Sequence, residues 1–233
     1  MISLFKKSFN KSSKQIKSYK KSYSQSGEDV IIDFIFHTIG ITNPSYLDIG
    51  AHHPYSINNT AIFYERGCRG INIEPDPELF NDFLVYRKDD INLNIGIADK
   101  KSTLEFYKMS VPTLNTFSKK EAESISKEGD FKIEKIIPIA VEPISDIIEK
   151  YHSGLYPDFL TLDAEGIDEM VIHSIDFEKN SPKVICVETL SFSPSGQGVK
   201  NSTLISFLEE KGYLLYADTY INSIFVQKEL WYK

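Results

Sequence analysis

Apolar positions along this chain fall into two spacings, short continuous runs and longer stretches repeating every three to four residues. Residues 45–49, 69–73, 91–97, 159–163 and 184–187 form the runs, and strands buried on both faces of a parallel sheet have that appearance. Helical spacing recurs between them, at 58–66, 77–87, 143–151, from Asp168 to 175, and at 203–211. Pro77 stands where a first helical turn accepts proline, and Gly212 closes the last of these helices. Residues 102–107 and 134–141 read as additional strands, and 213–217 with 222–227 as a terminal antiparallel pair. Strands that alternate with helices and end in a hairpin predict an α/β fold, a doubly wound, mostly parallel sheet with an antiparallel edge strand.

Two stretches depart from this rhythm. Residues 110–132 are irregular and read as a mobile insertion, a place where acceptor specificity is commonly carried. Residues 24–29 crowd polar groups just ahead of a helix whose apolar face is Val30, Ile31, Phe34 and Ile35. Ser26 resembles its N-cap, with Asp29 in the first turn. The crowding reads either as capping chemistry or as a lid over a ligand site.

Size and charge narrow the function. The 233 residues, 41% hydrophobic, suffice for one core, so a basic extension over 1–22 and a single domain over 23–233 are expected. A net charge of −7 argues against unaided nucleic-acid binding. The extension runs the other way, with seven lysines and no acid, and is the one part suited to a weak association with an anionic membrane. No apolar stretch is long enough to span a bilayer, and the start of the chain lacks the apolar run of a secretory signal. Cys68 and Cys186 are far apart and fall in or beside buried strands, so free thiols and a cytoplasmic location are expected.

The candidate chemistry collects at strand ends. Leu47-Asp48-Ile49-Gly50-Ala51-His52-His53-Pro54 ends a strand in an acid and a glycine, and Gly70-Ile71-Asn72-Ile73-Glu74 ends the next in a carboxylate. In an open parallel sheet both face one crevice, where Glu74 can accept from two ribose hydroxyls. That frame serves either a dinucleotide or S-adenosylmethionine. No second or third glycine follows Gly50, as a pyrophosphate would require, so the methyl donor is favoured. Gly96-Ile97-Ala98-Asp99 then lies where an adenine would be, with Asp99 taking its amino group. A sugar oxidoreductase or epimerase using NAD is the rival, although no Y-x-x-x-K follows the 159–163 strand. A donor-binding protein without catalysis is a second rival.

Several motifs occur in a fixed order: Ser24-Gln25-Ser26-Gly27-Glu28-Asp29, Leu47 to Pro54, Asn59-Thr60, Gly70 to Glu74, Leu162-Asp163-Ala164-Glu165-Gly166, and Pro182 to Glu188. Together they resemble the FkbM family of S-adenosylmethionine-dependent methyltransferases. The resemblance implies a Rossmann-like class I methyltransferase fold and O-methylation of a sugar, glycan precursor or natural product. It places Gln25, Glu28, Asp48, Gly50, Ala51, His52, Asn59 and Thr60 around the donor. Glu74 with Asp76 falls at the ribose, and Ile97, Ala98 and Asp99 at the adenine. His52 and His53 stand where many methyltransferases have glycine or asparagine.

Methyl transfer to a hydroxyl needs alignment and removal of a proton. Asp163, Glu165 and Glu188, at or just after strand ends, and His53 are the candidates. Either Asp163 is the base, or Asp163, Glu165 and Glu188 share a divalent cation such as Mg²⁺ or Mn²⁺.

Overall fold

The computed structural model describes residues 20–127, 130–164, 167–191 and 198–233. In chain order come α1 (Glu28–Thr38), β1 (Tyr46–Ile49), α2 (Ala61–Glu65), β2 (Gly70–Ile73), α3 (Pro77–Tyr86), β3 (Ile91–Leu93), β4 (Gly96–Ile97) and β5 (Ser102–Met109). A 3-10 turn (Pro112–Leu114) and α4 (Lys119–Ile125) precede β6 (Ile133–Glu142), α5 (Ile144–His152), β7 (Phe159–Leu162), α6 (Asp168–His173) and β8 (Val184–Glu188). The chain closes with α7 (Ser202–Glu210), β9 (Tyr213–Asp218), β10 (Asn222–Gln227) and α8 (Lys228–Trp231).

One seven-stranded sheet runs in the order β3-β2-β1-β7-β8-β10-β9. Pairing is parallel from β3 to β8, and β10 lies antiparallel to both β8 and β9. This is the doubly wound α/β sheet with an antiparallel edge that the sequence predicts, a Rossmann-like methyltransferase fold. Side chains alternate between two cores, as the two-residue strand period requires. Leu47, Ile49, Leu160, Leu162, Ile185, Val187 and Phe225 pack with α5, α6 and α7. Tyr46, Phe159, Val184, Cys186, Ile224 and Val226 pack with Ile32, Ile35 and Phe36 of α1 and Phe63 of α2. Strand order reverses between β1 and β7, which opens the crevice at their carboxyl ends.

Three local expectations change. Residues 91–97 split into β3 and β4 because the Asn94 side chain donates to the carbonyls of Glu74 and Pro75 at 2.8 and 2.9 Å. Past that tie, β4 pairs in parallel with β6 in a separate sheet, ordered β4-β6-β5. The α1 face against the sheet is Ile32, Ile35 and Phe36, spaced by three and four, whereas Phe34 is 49% exposed. Ser26 does not cap that helix; Ser24 Oγ accepts from the N–H groups of Gly27 and Asp29 at 3.1 and 3.3 Å. Within the 110–132 insertion, the short turn and α4 pack Leu114, Ala122 and Ile125 on Tyr107 and Met109 of β5. Among the described residues no helix is long and apolar enough to cross a membrane.

Candidate functional site

The crevice begins with a shared carbonyl. Gly50 and Ala51 both donate their N–H to Ile73 O, at 3.0 and 3.1 Å, and Asp163 N–H donates to Ile49 O at 3.1 Å. These bonds draw the ends of β1, β2 and β7 together. Gly50 has a left-handed φ of 77°, and a Cβ there would stand 1.8 Å from the Asp163 carbonyl oxygen. Glycine is required on both counts. Beyond it, His52 and Ile57 also hold left-handed φ of 53°.

Glu74, 5% exposed, is oriented from both sides: His52 N–H donates to one oxygen at 2.8 Å and Asp76 N–H to the other at 2.7 Å. Its side chain joins the wall of a cavity open to solvent, with Gly50, His52, Ile73, Ile97, Phe106, Phe117 and Asp163. His52 Nδ1 is buried without a hydrogen-bond partner among the described residues. A smaller polar cavity adjoins, sharing Gly50, Ile57 and Asp163 and lined further by Gln25, Asp48, Asn59, Thr161 and Asn222. A third groove runs along Glu121, Asp168, Glu188, Thr189 and Asn201.

Burial and mutual repulsion displace the acids. Burial pushes Asp48 up to about 6, opposed by hydrogen bonds from Thr60 and Asn58 and by the Arg87 charge. It raises Glu74 to about 8 against its two backbone donors. Asp163 opens to both cavities; desolvation, then the Asp48 and Glu28 charges, raises its pKa above the ordinary carboxylate range. Asp168 rises to about 7 and Glu188 to about 9, first through desolvation and then through neighbouring carboxylates, Asp163 foremost.

The sequence candidates therefore separate by position. Gly50, His52, Glu74, Ile97 and Asp163 meet in the large cavity, and Gln25, Asp48 and Asn59 in the polar one. Glu28, Ala51, Thr60 and Asp76 lie behind these walls, all buried. Glu28 accepts from Ser26 N–H, Thr219 Oγ1 and Asn222 Nδ2, tying the segment before α1 to the β9–β10 hairpin. Thr60 Oγ1 donates to Asp48 at 2.8 Å. Asp76 caps α3 through Glu78 N–H and is paired with Lys108 at 3.0 Å.

His53 turns into its own loop, where Nδ1 accepts from Tyr55 N–H at 3.1 Å, and lines neither cavity. Ala98 and Asp99 also lie outside both, past the end of β4. Glu188 joins Asp168 in the third groove, and Glu165 lies outside the described residues. Among the described residues no three His, Cys, Asp or Glu side chains gather closely enough to hold a metal ion.

Sequence reasoning missed Phe106 and Phe117, whose rings meet at a tilt, 4.8 Å between centroids, on the cavity wall. The alternation of 102–107 marks Phe106 as inward-facing, but no local pattern marks Phe117. Asn222 and Asp168 were likewise invisible as site residues, since only the folded sheet brings them to the crevice.

Comparison with curated proteins gives no match. The family model described as the methyltransferase FkbM domain matches residues 48–215, from the acid of β1 into β9, and so spans every strand end that builds the crevice. The chain belongs to the FkbM methyltransferase family.

Proposed function

We propose that the protein binds S-adenosylmethionine in the two joined cavities and transfers its methyl group to a hydroxyl of a sugar or glycan precursor. The observation that carries this reading is Glu74, a carboxylate in the cavity wall at the end of β2 with each oxygen already aimed by one backbone N–H. Two ribose hydroxyls can donate to such a group. The apolar wall of Ile73, Ile97, Phe106 and Phe117 suits an adenine ring. Gly96 supports that wall: a Cβ on it would stand 2.4 Å from the Phe117 ring. In the polar cavity, the amides of Gln25 and Asn59 and the carboxyls of Asp48 and Asp163 suit the charged methionine end.

Bound there, the donor supplies a methyl group on a cationic sulfur. Asp163 reaches both cavities. Its carboxylate, with a proton affinity raised above the ordinary range, can take the proton of an attacking hydroxyl. A base so placed contributes roughly 10² to 10⁴ in rate. Glu188, crowded by Asp163 and Asp168, holds its proton more tightly than an ordinary carboxyl. Cys68 and Cys186 are free and buried, which accords with a reducing, cytoplasmic setting.

The dinucleotide reading is disfavoured by Asn58. Its Oδ1 accepts from Thr60 and Ala61 N–H at 3.0 and 2.8 Å, so the N-terminus of α2 is already occupied where a pyrophosphate would sit. The test is transfer of labelled methyl from the donor to a panel of sugars and glycan precursors, with Asp163→Asn and with chelator. Transfer to a hydroxyl, lost in Asp163→Asn and kept with chelator, is expected. Full transfer by Asp163→Asn would remove the assigned base, and loss on chelation would restore the metal.

A further inference from the structure

Arg87 lies one residue beyond α3 with its side chain fully buried, an uncommon place for a guanidinium. One edge of its fork is bound to Asp90, from Nε at 2.9 Å and Nη2 at 2.8 Å. Asp90 is anchored in turn by the Tyr46 hydroxyl, Gly70 N–H and the Asn72 amide. Nη2 also donates to the Tyr46 hydroxyl at 2.9 Å, and further contacts reach the segment between Gly50 and α2. Nη1 donates to Pro54 O at 3.2 Å and Asn58 Oδ1 at 3.4 Å, and Nη2 donates to Thr60 Oγ1 at 3.1 Å. Thr60 Oγ1 and Asn58 Nδ2 both donate onward to Asp48 Oδ2, at 2.8 and 3.1 Å.

Ile57 lies within that bracket. A β-branched residue at φ 53° is a backbone outlier, and it persists only where the surroundings over-determine it. Ile57 also belongs to the walls of both cavities. The clamp from Arg87 therefore holds the one strained residue that the two cavities share, and the acid at the floor of the polar one.

We propose that Arg87 is a positioning residue for the donor site, fixing segment 54–60 so that Ile57 and Asp48 present the surfaces the donor meets. It acts through Pro54, Asn58 and Thr60 and touches no ligand itself. The proposal rests on the reading of the two cavities as the donor site. The charged and titratable groups facing Asp48 are Arg87 and Asp90 beneath it, Glu74 from β2, Asp163 from β7 and the Cys186 thiol of β8. Arg87 is the cation among them, so its loss also raises the pH at which Asp48 gives up its proton.

The experiment compares S-adenosylmethionine affinity in wild type, Arg87→Met and Leu208→Ala, a core change on the α7 side of the sheet, with folded stability measured for each. In Arg87→Met, Asp90 keeps its Tyr46, Gly70 and Asn72 donors. Donor Kd is expected to rise about tenfold in Arg87→Met, the size of one charge-assisted hydrogen bond. Leu208→Ala, although destabilised, is expected to bind as wild type does. The acidic limb of the binding curve is expected to shift to higher pH in Arg87→Met. If Arg87→Met does not fold, Thr60→Val decides, with weaker donor binding expected. Wild-type affinity in the folded Arg87→Met, or in Thr60→Val where that variant decides, would overturn the proposal. Wild-type protein that does not bind the donor overturns the donor reading and this role with it.

Discussion

Asp90, beneath β1 to β3, and Glu188, at the end of β8, are carboxylates treated in opposite ways. Asp90 is met by the Arg87 guanidinium, the Tyr46 hydroxyl, Gly70 N–H and the Asn72 amide. Glu188 is surrounded by Asp163, Asp168 and Glu121, and the Lys200 ammonium is the group that pulls the other way. The first arrangement spends buried polarity on shape, holding the loop that follows Gly50. The second accepts like-charge crowding, which costs stability and perturbs proton affinities where chemistry is proposed. The fold is thus tied down by a paired network beneath β1 to β3 and crowded with like charges at the end of β8.

The comparison breaks most visibly at Asp90. Asp90→Ala leaves Arg87 buried and unpaired and is expected to cost about 3–5 kcal/mol in urea denaturation. A loss below about 1 kcal/mol would mean that the network does not hold this part of the sheet together. Gly50→Ala comes next. It forces a Cβ to 1.8 Å from the Asp163 carbonyl at φ 77°, and should cost about 3 kcal/mol, the upper end of backbone strain. Donor binding is expected to vanish with it.

At the other half the sign reverses. Glu188→Gln removes a carboxyl that resists ionisation, so it is expected to raise stability by about 1 kcal/mol at neutral pH while lowering methyl transfer. Destabilisation by this change would contradict the crowding. The smallest effect is the pH dependence of stability itself. Asp48, Glu74, Asp163, Asp168 and Glu188 all have folded pKa values raised above the ordinary range, to between about 6 and about 9. Their contribution is complete below the unfolded values and is lost as pH rises through the folded ones. Glu28, Asp158 and Asp218 are lowered and act oppositely, losing their contribution as pH falls through their folded values. Thermal stability is therefore expected to be higher at about pH 5.5 than at about pH 8, by a few degrees, and Glu188→Gln should flatten that slope.

How much of this was legible in the sequence depended on whether the signal was local. The runs ending at Asp48, Glu74 and Asp163 are apolar and bounded by turn residues, so the parallel strands and the acids at their ends could be read directly. Asn94 could not be read as a strand breaker, because its effect comes from carbonyls of Glu74 and Pro75 about twenty positions earlier. Arg87 stands at the end of a helical pattern with nothing local to mark it as buried; its burial follows from Asp90, Asn58 and Thr60 converging on it. His53, beside His52 in sequence, was inseparable from it until the left-handed turn sent one ring to the cavity and the other into the loop. Phe117 belongs to an insertion whose alternation is too short to fix a face.

The most direct test of the account is calorimetric titration of the protein with S-adenosylmethionine and with NAD, alongside a Glu74→Ala variant. Saturable binding of the methyl donor alone, weakened in Glu74→Ala, is the predicted result. Binding of NAD instead, or donor affinity unchanged by loss of the Glu74 carboxylate, would contradict it.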